Sequence, residues 1–241
     1  MSLGSQTFSK VFVQRTLALV VGFIGLAWGV LAFPQSRSAD QFRDIESSLL
    51  RSEIINRTAL AQMLEGQSLG NLSACDIHSQ RALLLMGMPL AEAALRSGDS
   101  QEFDERVRSL EARARQILGC APRESFVWLL LFNLEVLHGQ LNEQSFNLLA
   151  MSYETSPNEA WISIRRIIVA VPLVLLTSGS LRKAILFEFQ ELIRNGFVDY
   201  AARSFSLSSE TVRSALQAQI DQFSPPQQKA FSEALQKLRS S

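Results

Sequence analysis

The sequence predicts an all-α protein, and three observations carry that expectation. Apolar residues recur at i, i+3 and i+4 through most of the 241 residues, the period of a helix with one buried stripe. Stretches that alternate apolar and polar residues, as half-buried strands do, are scarce. Glycines punctuate the periodic runs at Gly66, Gly98, Gly119, Gly139, Gly179 and Gly196, where a helix end calls for a left-handed residue. The charges balance, with 23 Lys+Arg against 23 Asp+Glu, so the net basic charge typical of a nucleic-acid binder is missing. No nucleic acid is expected among the partners.

The first element is apolar. Residues 16–33, TLALVVGFIGLAWGVLAF, run for 18 residues without a charge. At 1.5 Å per residue such a helix is about 27 Å long. That nearly spans a hydrocarbon core of roughly 30 Å, and Val11 to Val13 can extend it. Pro34 follows and disfavours continuation. The expectation is a single transmembrane anchor behind a short basic N-terminus, residues 1–15. A signal peptide cut near Val30 to Ala32 competes with it. Lys10 and Arg15 before the run nearly balance Arg37 and Arg43 after it, so the positive-inside rule leaves the orientation open. Gly25 and Gly29 form a G-x-x-x-G pair that can draw two helices together in lipid and allow homo-oligomers through the span. Ordinary glycine enrichment of membrane helices explains the same pair.

Cys75 and Cys120 are the two cysteines. The first heads a helical run over 74–96 and the second follows a run over 100–118, the two joined at Ser97-Gly98-Asp99. Antiparallel helices of similar length bring those ends within the roughly 4.4–6.8 Å Cα separation of a disulfide. A bridge closing so long a loop stabilises the fold by about 4 kcal/mol on chain-entropy grounds, and it persists only in an oxidising compartment. Two unrelated buried thiols are the alternative. With an export-type segment ahead of it, the pair orients the chain. The N-terminus is expected in the cytoplasm and the main domain outside it, in an oxidising space such as a periplasm or a secretory lumen.

Further helices are predicted at 39–65, 124–138, 142–155, 157–177, 181–195, 208–222 and 225–239. Residues 34–72 hold a linker and one long amphipathic helix, with Phe42, Ile45, Leu49 and Leu50 on one face. "SPNE" marks a helix start, with Ser156 as N-cap, Pro157 at N1 and Glu159 at N3. "IIVAVPLVLLT" is too short to cross a membrane and contains Pro172, so a buried, kinked helix is expected there.

Trp128 and Trp161 lie 33 residues apart, and Pro122 and Pro157 lie 35 apart. Both tryptophans head a W-x-x-large step, to Leu131 and Ile164. Ser145, Leu149, Ser152 and Pro157 keep a small, large, small, proline spacing between them. In this period the stretch from about 78 to 196 resembles the tetratricopeptide (TPR-like) repeats. Phe132 and Glu135 depart from that pattern, and the third hairpin lacks a closing proline. The resemblance implies a right-handed α-solenoid over residues 73–196, with Trp128, Leu131, Leu149, Trp161 and Ile164 in its interlocking core. Residues 197–241 would then be a more polar capping pair. It further implies a scaffold that holds protein partners on a concave surface. More loosely, a basic start, one span, a cysteine-linked helical pair and such repeats resemble small accessory proteins of bacterial polysaccharide biosynthesis.

Residues that would carry chemistry are few. His78 and His138 have no second histidine or cysteine at metal-ligand spacing. "SLRK" from Ser180 to Lys183 matches S-x-x-K, but S-D-N and K-T-G are absent, so Ser180 is expected to cap a helix. No glycine-rich phosphate loop occurs. Asn56 and Asn71 fit the glycosylation pattern, which matters only on a eukaryotic secretory route. No catalytic residue, cofactor or metal is expected. The function expected is a non-catalytic scaffold or adaptor that recruits membrane or envelope proteins. A structural subunit of a stable membrane complex is the alternative, and an enzyme with an unfamiliar helical site is the third.

Overall fold

The structure, a computed structural model, describes residues 16–29, 57–66, 73, 75–157 and 159–240. The chain divides into two compact units, Met1–Ile54 and Ile55–Ser241. Every regular element among the described residues is helical.

In the first unit, residues 16–29 form helix α1. Leu17, Leu19, Val20, Val21, Phe23, Ile24, Leu26 and Trp28 all stand exposed along it, so α1 has no buried stripe and polar face of the kind a surface helix carries. Among the described residues no helix is long and apolar enough to cross a membrane. Residues 30–33 of the predicted span, the N-terminal residues 1–15 and most of the predicted 39–65 helix lie outside the described residues.

The second unit holds α2 (Arg57–Gly66), α3 (Ile77–Ser97), α4 (Ser100–Cys120), α5 (Ser125–Leu137), α6 (Glu143–Thr155), α7 (Ala160–Ala170), a 3-10 segment η1 (Val171–Leu176), α8 (Gly179–Arg194), α9 (Val198–Leu207), α10 (Glu210–Ile220) and α11 (Pro225–Ser240). Local chemistry sets several of these limits. Asp76 and Asp99 accept the backbone N–H of Ser79 and Glu102, capping α3 and α4. Between those helices Gly98 takes φ 77°, which lets its N–H and that of Asp99 reach back to the last carbonyls of α3. Asn142 and Ser145 form a reciprocal capping box at the start of α6.

The helices pack through one continuous apolar core that runs from Leu84 in α3 to Ala234 in α11. Helices α9, α10 and α11 therefore share the core of the unit. Helix α5, SFVWLLLFNLEVL, is apolar on nearly every side and is buried accordingly, with Val127, Phe132 and Leu134 fully enclosed. Helix α3 carries Gly87 where it meets α4: a Cβ there would lie 2.7 Å from Leu110 Cδ2.

Four local expectations change. The SPNE helix start moves: Ser156 is the C-cap of α6, and α7 begins at Ala160 behind Glu159, with no side-chain cap bond. The predicted helix over 157–177 divides, because Pro172 has no N–H to donate and the chain tightens into η1 at Val171. Helix α9 was not anticipated, although Ala201, Ala202 and Phe205 give it a buried face. Finally, positive φ occurs at Gly98, Gly139, Gly179 and Gly196, whereas Gly66 and Gly119 are helical.

Candidate functional site

Among the described residues of the second unit, the largest fully buried side chain is a charged one, Arg166. It falls on the core side of α7 because Ile162 and Ala170, one turn to either side, are buried as well. A buried guanidinium must find both a counter-charge and hydrogen-bond acceptors, and α6 and α8 supply them. From α8, Glu188 accepts Arg166 Nε at 3.1 Å on each oxygen, and Nη2 donates to its Oε1 as well. From the end of α6, the Ser152 carbonyl accepts Nη1 at 2.7 Å and the Ser156 carbonyl accepts Nη2 at 3.3 Å. Ser125 of α5 donates to the same Ser152 carbonyl at 2.8 Å.

Tyr153 completes the cluster. Its ring lies against the guanidinium, with Cζ 3.9 Å from the centroid, and its hydroxyl donates to Glu188 Oε2 at 2.8 Å. Burial pushes the phenol well above its ordinary range. The negative charge of Glu188 adds to that shift and the positive charge of Arg166 opposes it. At neutral pH Tyr153 is thus a protonated donor. Both oxygens of Glu188 are engaged by donors. The cluster is built to fasten α6, α7 and α8 to one another, and it presents neither a free base nor an activated nucleophile.

Above this fastening lies a cleft of about 590 Å³. Tyr153 and Pro157 line it from the end of α6, Ala160 and Ser163 from α7, and Ala184, Phe187, Glu188, Glu191 and Leu192 from α8. Asn195 and Phe197 complete the lining. Phe187 is 59% exposed, an unusual position for a phenylalanine on the wall of a concavity. A smaller cleft of about 400 Å³ lies among α2, α3 and α4, with Leu64, Gly87 and Leu110 beside Glu102, Arg106 and Arg113. No group of three or more His, Cys, Asp or Glu that could hold a metal occurs among the described residues.

The residues singled out from sequence are placed as follows. Cys75 and Cys120 form a disulfide with Cα atoms 5.4 Å apart, joining the chain just before α3 to the end of α4. Leu131 and Leu149 are buried, while Trp128, Trp161 and Ile164 pack half-buried against the core. Trp128 donates from its indole N–H to the Pro122 carbonyl at 2.8 Å, and Trp161 donates to Glu159 at 2.9 Å. The Trp161 ring also meets the guanidinium groups of Arg81 and Arg165, at 5.1 and 5.9 Å from its centroid. His138 caps the end of α5, with its ring edge-on to Phe103. Ser180 lies inside the first turn of α8, where Ser178 is the N-cap. Around Gly25 and Gly29 a Cβ would meet nothing within 4 Å. Asn56 and Asn71 lie outside the described residues.

Against known proteins, no family model, no curated protein and no solved structure matches the chain.

Sequence reasoning did not select Arg166, Glu188, Tyr153 or Phe187. A signal for two of them was present. Arg166 shares the i, i+4, i+8 row with Ile162 and Ala170, and Glu188 stands between Ile185, Phe189 and Leu192. A charge on the apolar stripe of each of two successive helices points to a buried pair.

Proposed function

We propose that the chain is a non-catalytic, membrane-anchored scaffold or adaptor that recruits protein partners through its helical domain. The observation that carries this is the cleft of α6, α7 and α8: it is open, lined mainly by apolar side chains, and floored by a cluster in which the Arg166 guanidinium, both Glu188 oxygens and the Tyr153 hydroxyl are already engaged. A concave surface of that kind suits capture of a side chain or a helix face better than covalent chemistry. The TPR-like period of Trp128 and Trp161 is in keeping with a stack of hairpins that offers such a surface.

Two further features support a membrane setting outside the cytoplasm. Helix α1 exposes apolar side chains along its whole described length, and it belongs to the uncharged run of residues 16–33. The Cys75–Cys120 bridge calls for an oxidising space. An anchor then confines the domain to the membrane surface and raises its effective concentration toward membrane partners. Envelope assembly or polysaccharide biosynthesis at a bacterial inner membrane is the setting in which that combination serves an accessory protein.

A second function is favoured by the open faces at Gly22, Gly25 and Gly29 of α1: a subunit whose span packs permanently against other spans. Purification in mild detergent separates the two. An adaptor dissociates from its partners on dilution, and a subunit remains stoichiometric with them. Recovery of the chain alone from native membranes, with no partner before or after crosslinking, overturns both.

A further inference from the structure

We propose that the cleft of α6, α7 and α8 is the docking site for a partner segment that seats an aromatic or large aliphatic side chain on Phe187 and points a lysine or arginine at Glu191. This deepens the adaptor function and rests on it.

Shape comes first. Phe187 is 59% exposed, yet it stands in a concave wall with Pro157, Ala160, Ala184 and Leu192. An apolar side chain entering there removes apolar surface from water on both partners. The cleft volume of about 590 Å³ lies within the roughly 300–1,000 Å³ of sites that enclose a compact group. Its walls are also pre-organised. Arg166, Glu188 and Tyr153 bind α6, α7 and α8 together beneath it, so little ordering cost remains to be met on binding.

Charge then selects the occupant. Among the described residues, the charged ones that line the cleft are the carboxylates Glu188 and Glu191, with no lysine or arginine beside them. Glu188 is committed to Arg166 and Tyr153. Glu191 differs: one oxygen meets Arg194, three residues on in the same helix, at 2.6 Å with both side chains well exposed, and the other accepts the Asn195 side-chain amide at 3.3 Å. Such a surface pair is weak and readily exchanged. Arg194 keeps a second contact when released, because its guanidinium lies 5.5 Å from the Phe223 ring centroid. A cation brought by a partner can therefore take the place of Arg194 on Glu191, whereas an acidic segment finds no cation among the described lining residues to pair with.

The test is random-peptide display selected on the full-length chain in detergent micelles, followed by affinity measurement of the enriched peptides. Enrichment of sequences that pair an aromatic or aliphatic anchor with Lys or Arg is expected. Their binding should weaken about tenfold or more in Phe187→Ala, as truncation of a central anchor does. It should weaken in Glu191→Gln too, and fall as salt rises. Both side chains are solvent-accessible, so thermal unfolding of the two variants should match the parent. No enrichment, enrichment of sequences without basic residues, or binding unchanged in Phe187→Ala overturns the proposal. A photocrosslinker placed in turn at Phe187 and at Leu141 and Leu207, two exposed leucines away from the cleft lining, in native membranes separates this failure from that of the adaptor function. Protein crosslinks from Leu141 or Leu207 with none from Phe187 overturn the cleft and leave the adaptor standing. Crosslinks from none of the three overturn both.

Discussion

At the scale of single residues, the Arg166–Glu188 pair shows how a buried charge is tolerated and what depends on it. The pair contributes little net stability over a well-packed apolar replacement, but each member makes burial of the other bearable. Arg166→Met or Glu188→Gln alone should cost about 3–5 kcal/mol in urea unfolding. The double change Arg166→Met with Glu188→Leu should recover most of that loss. If the double variant is as unstable as the singles, the pair is not the reason for their loss. Tyr153 adds a pH signature. Its phenol is raised in the folded chain, while in the unfolded chain it titrates near 10. Above that pH the unfolded state has released the proton and the folded state has kept it, so the unfolded state binds fewer protons and stability falls as pH climbs. Stability measured from neutral pH to strong alkali should therefore decline less steeply above pH 10 in Tyr153→Phe than in the parent. Equal slopes would remove the linkage.

At the scale of elements, the α3–α4 hairpin depends on a close approach. Gly87→Ala gains about 1 kcal/mol of helix propensity. The new methyl would lie 2.7 Å from Leu110 Cδ2, and Leu110 is buried, so overpacking costs about 1–3 kcal/mol. A net loss near 1 kcal/mol is expected from thermal unfolding, turning neutral or favourable on a Leu110→Ala background. Additivity of the two changes would mean that the contact exerts no strain. The elements also show how far local pattern reaches. Apolar periodicity with Asp and Gly at the joints set α3, α4, α5 and α6 to within a few residues. The divided run at 160–176 and the unforeseen α9 followed from other causes. Pro172 leaves an apolar pattern intact while removing a hydrogen bond. In "VDYAARSFSL" the buried face is made of Ala201, Ala202, Ser204 and Phe205, and small residues of this kind give a faint apolar signal until a neighbour packs on them.

At the scale of the whole molecule, the disulfide and the apolar α1 lead to one measurement of compartment. Thiol labelling in intact membranes, with a reagent that adds mass, should modify Cys75 and Cys120 only after reduction and denaturation. Labelling in denatured, unreduced protein trapped against air oxidation would place the domain in a reducing space. Removing the bridge by Cys75→Ser with Cys120→Ser should lower stability by about 2–4 kcal/mol, since the open chain regains the entropy of a loop with a sequence separation of 45.

The all-α class, the limits of α3 to α6 and the proximity of the two cysteines were legible in the sequence, because each follows from neighbours along the chain: a 3.6-residue period, a capping residue, and two helices of like length. The candidate site was not legible. Tyr153, Arg166, Phe187 and Glu188 come from three helices; Tyr153 and Phe187 have ordinary local settings, and the apolar rows around Arg166 and Glu188 point to burial without naming a partner. Only packing decided that an arginine and a glutamate 22 residues apart meet in the core, and only packing left Phe187 exposed on a concave wall instead of buried like Phe189 two residues on. Helical periodicity records which side of a helix is apolar. Which partner covers that side, and where the covering stops, is settled by how the helices stack.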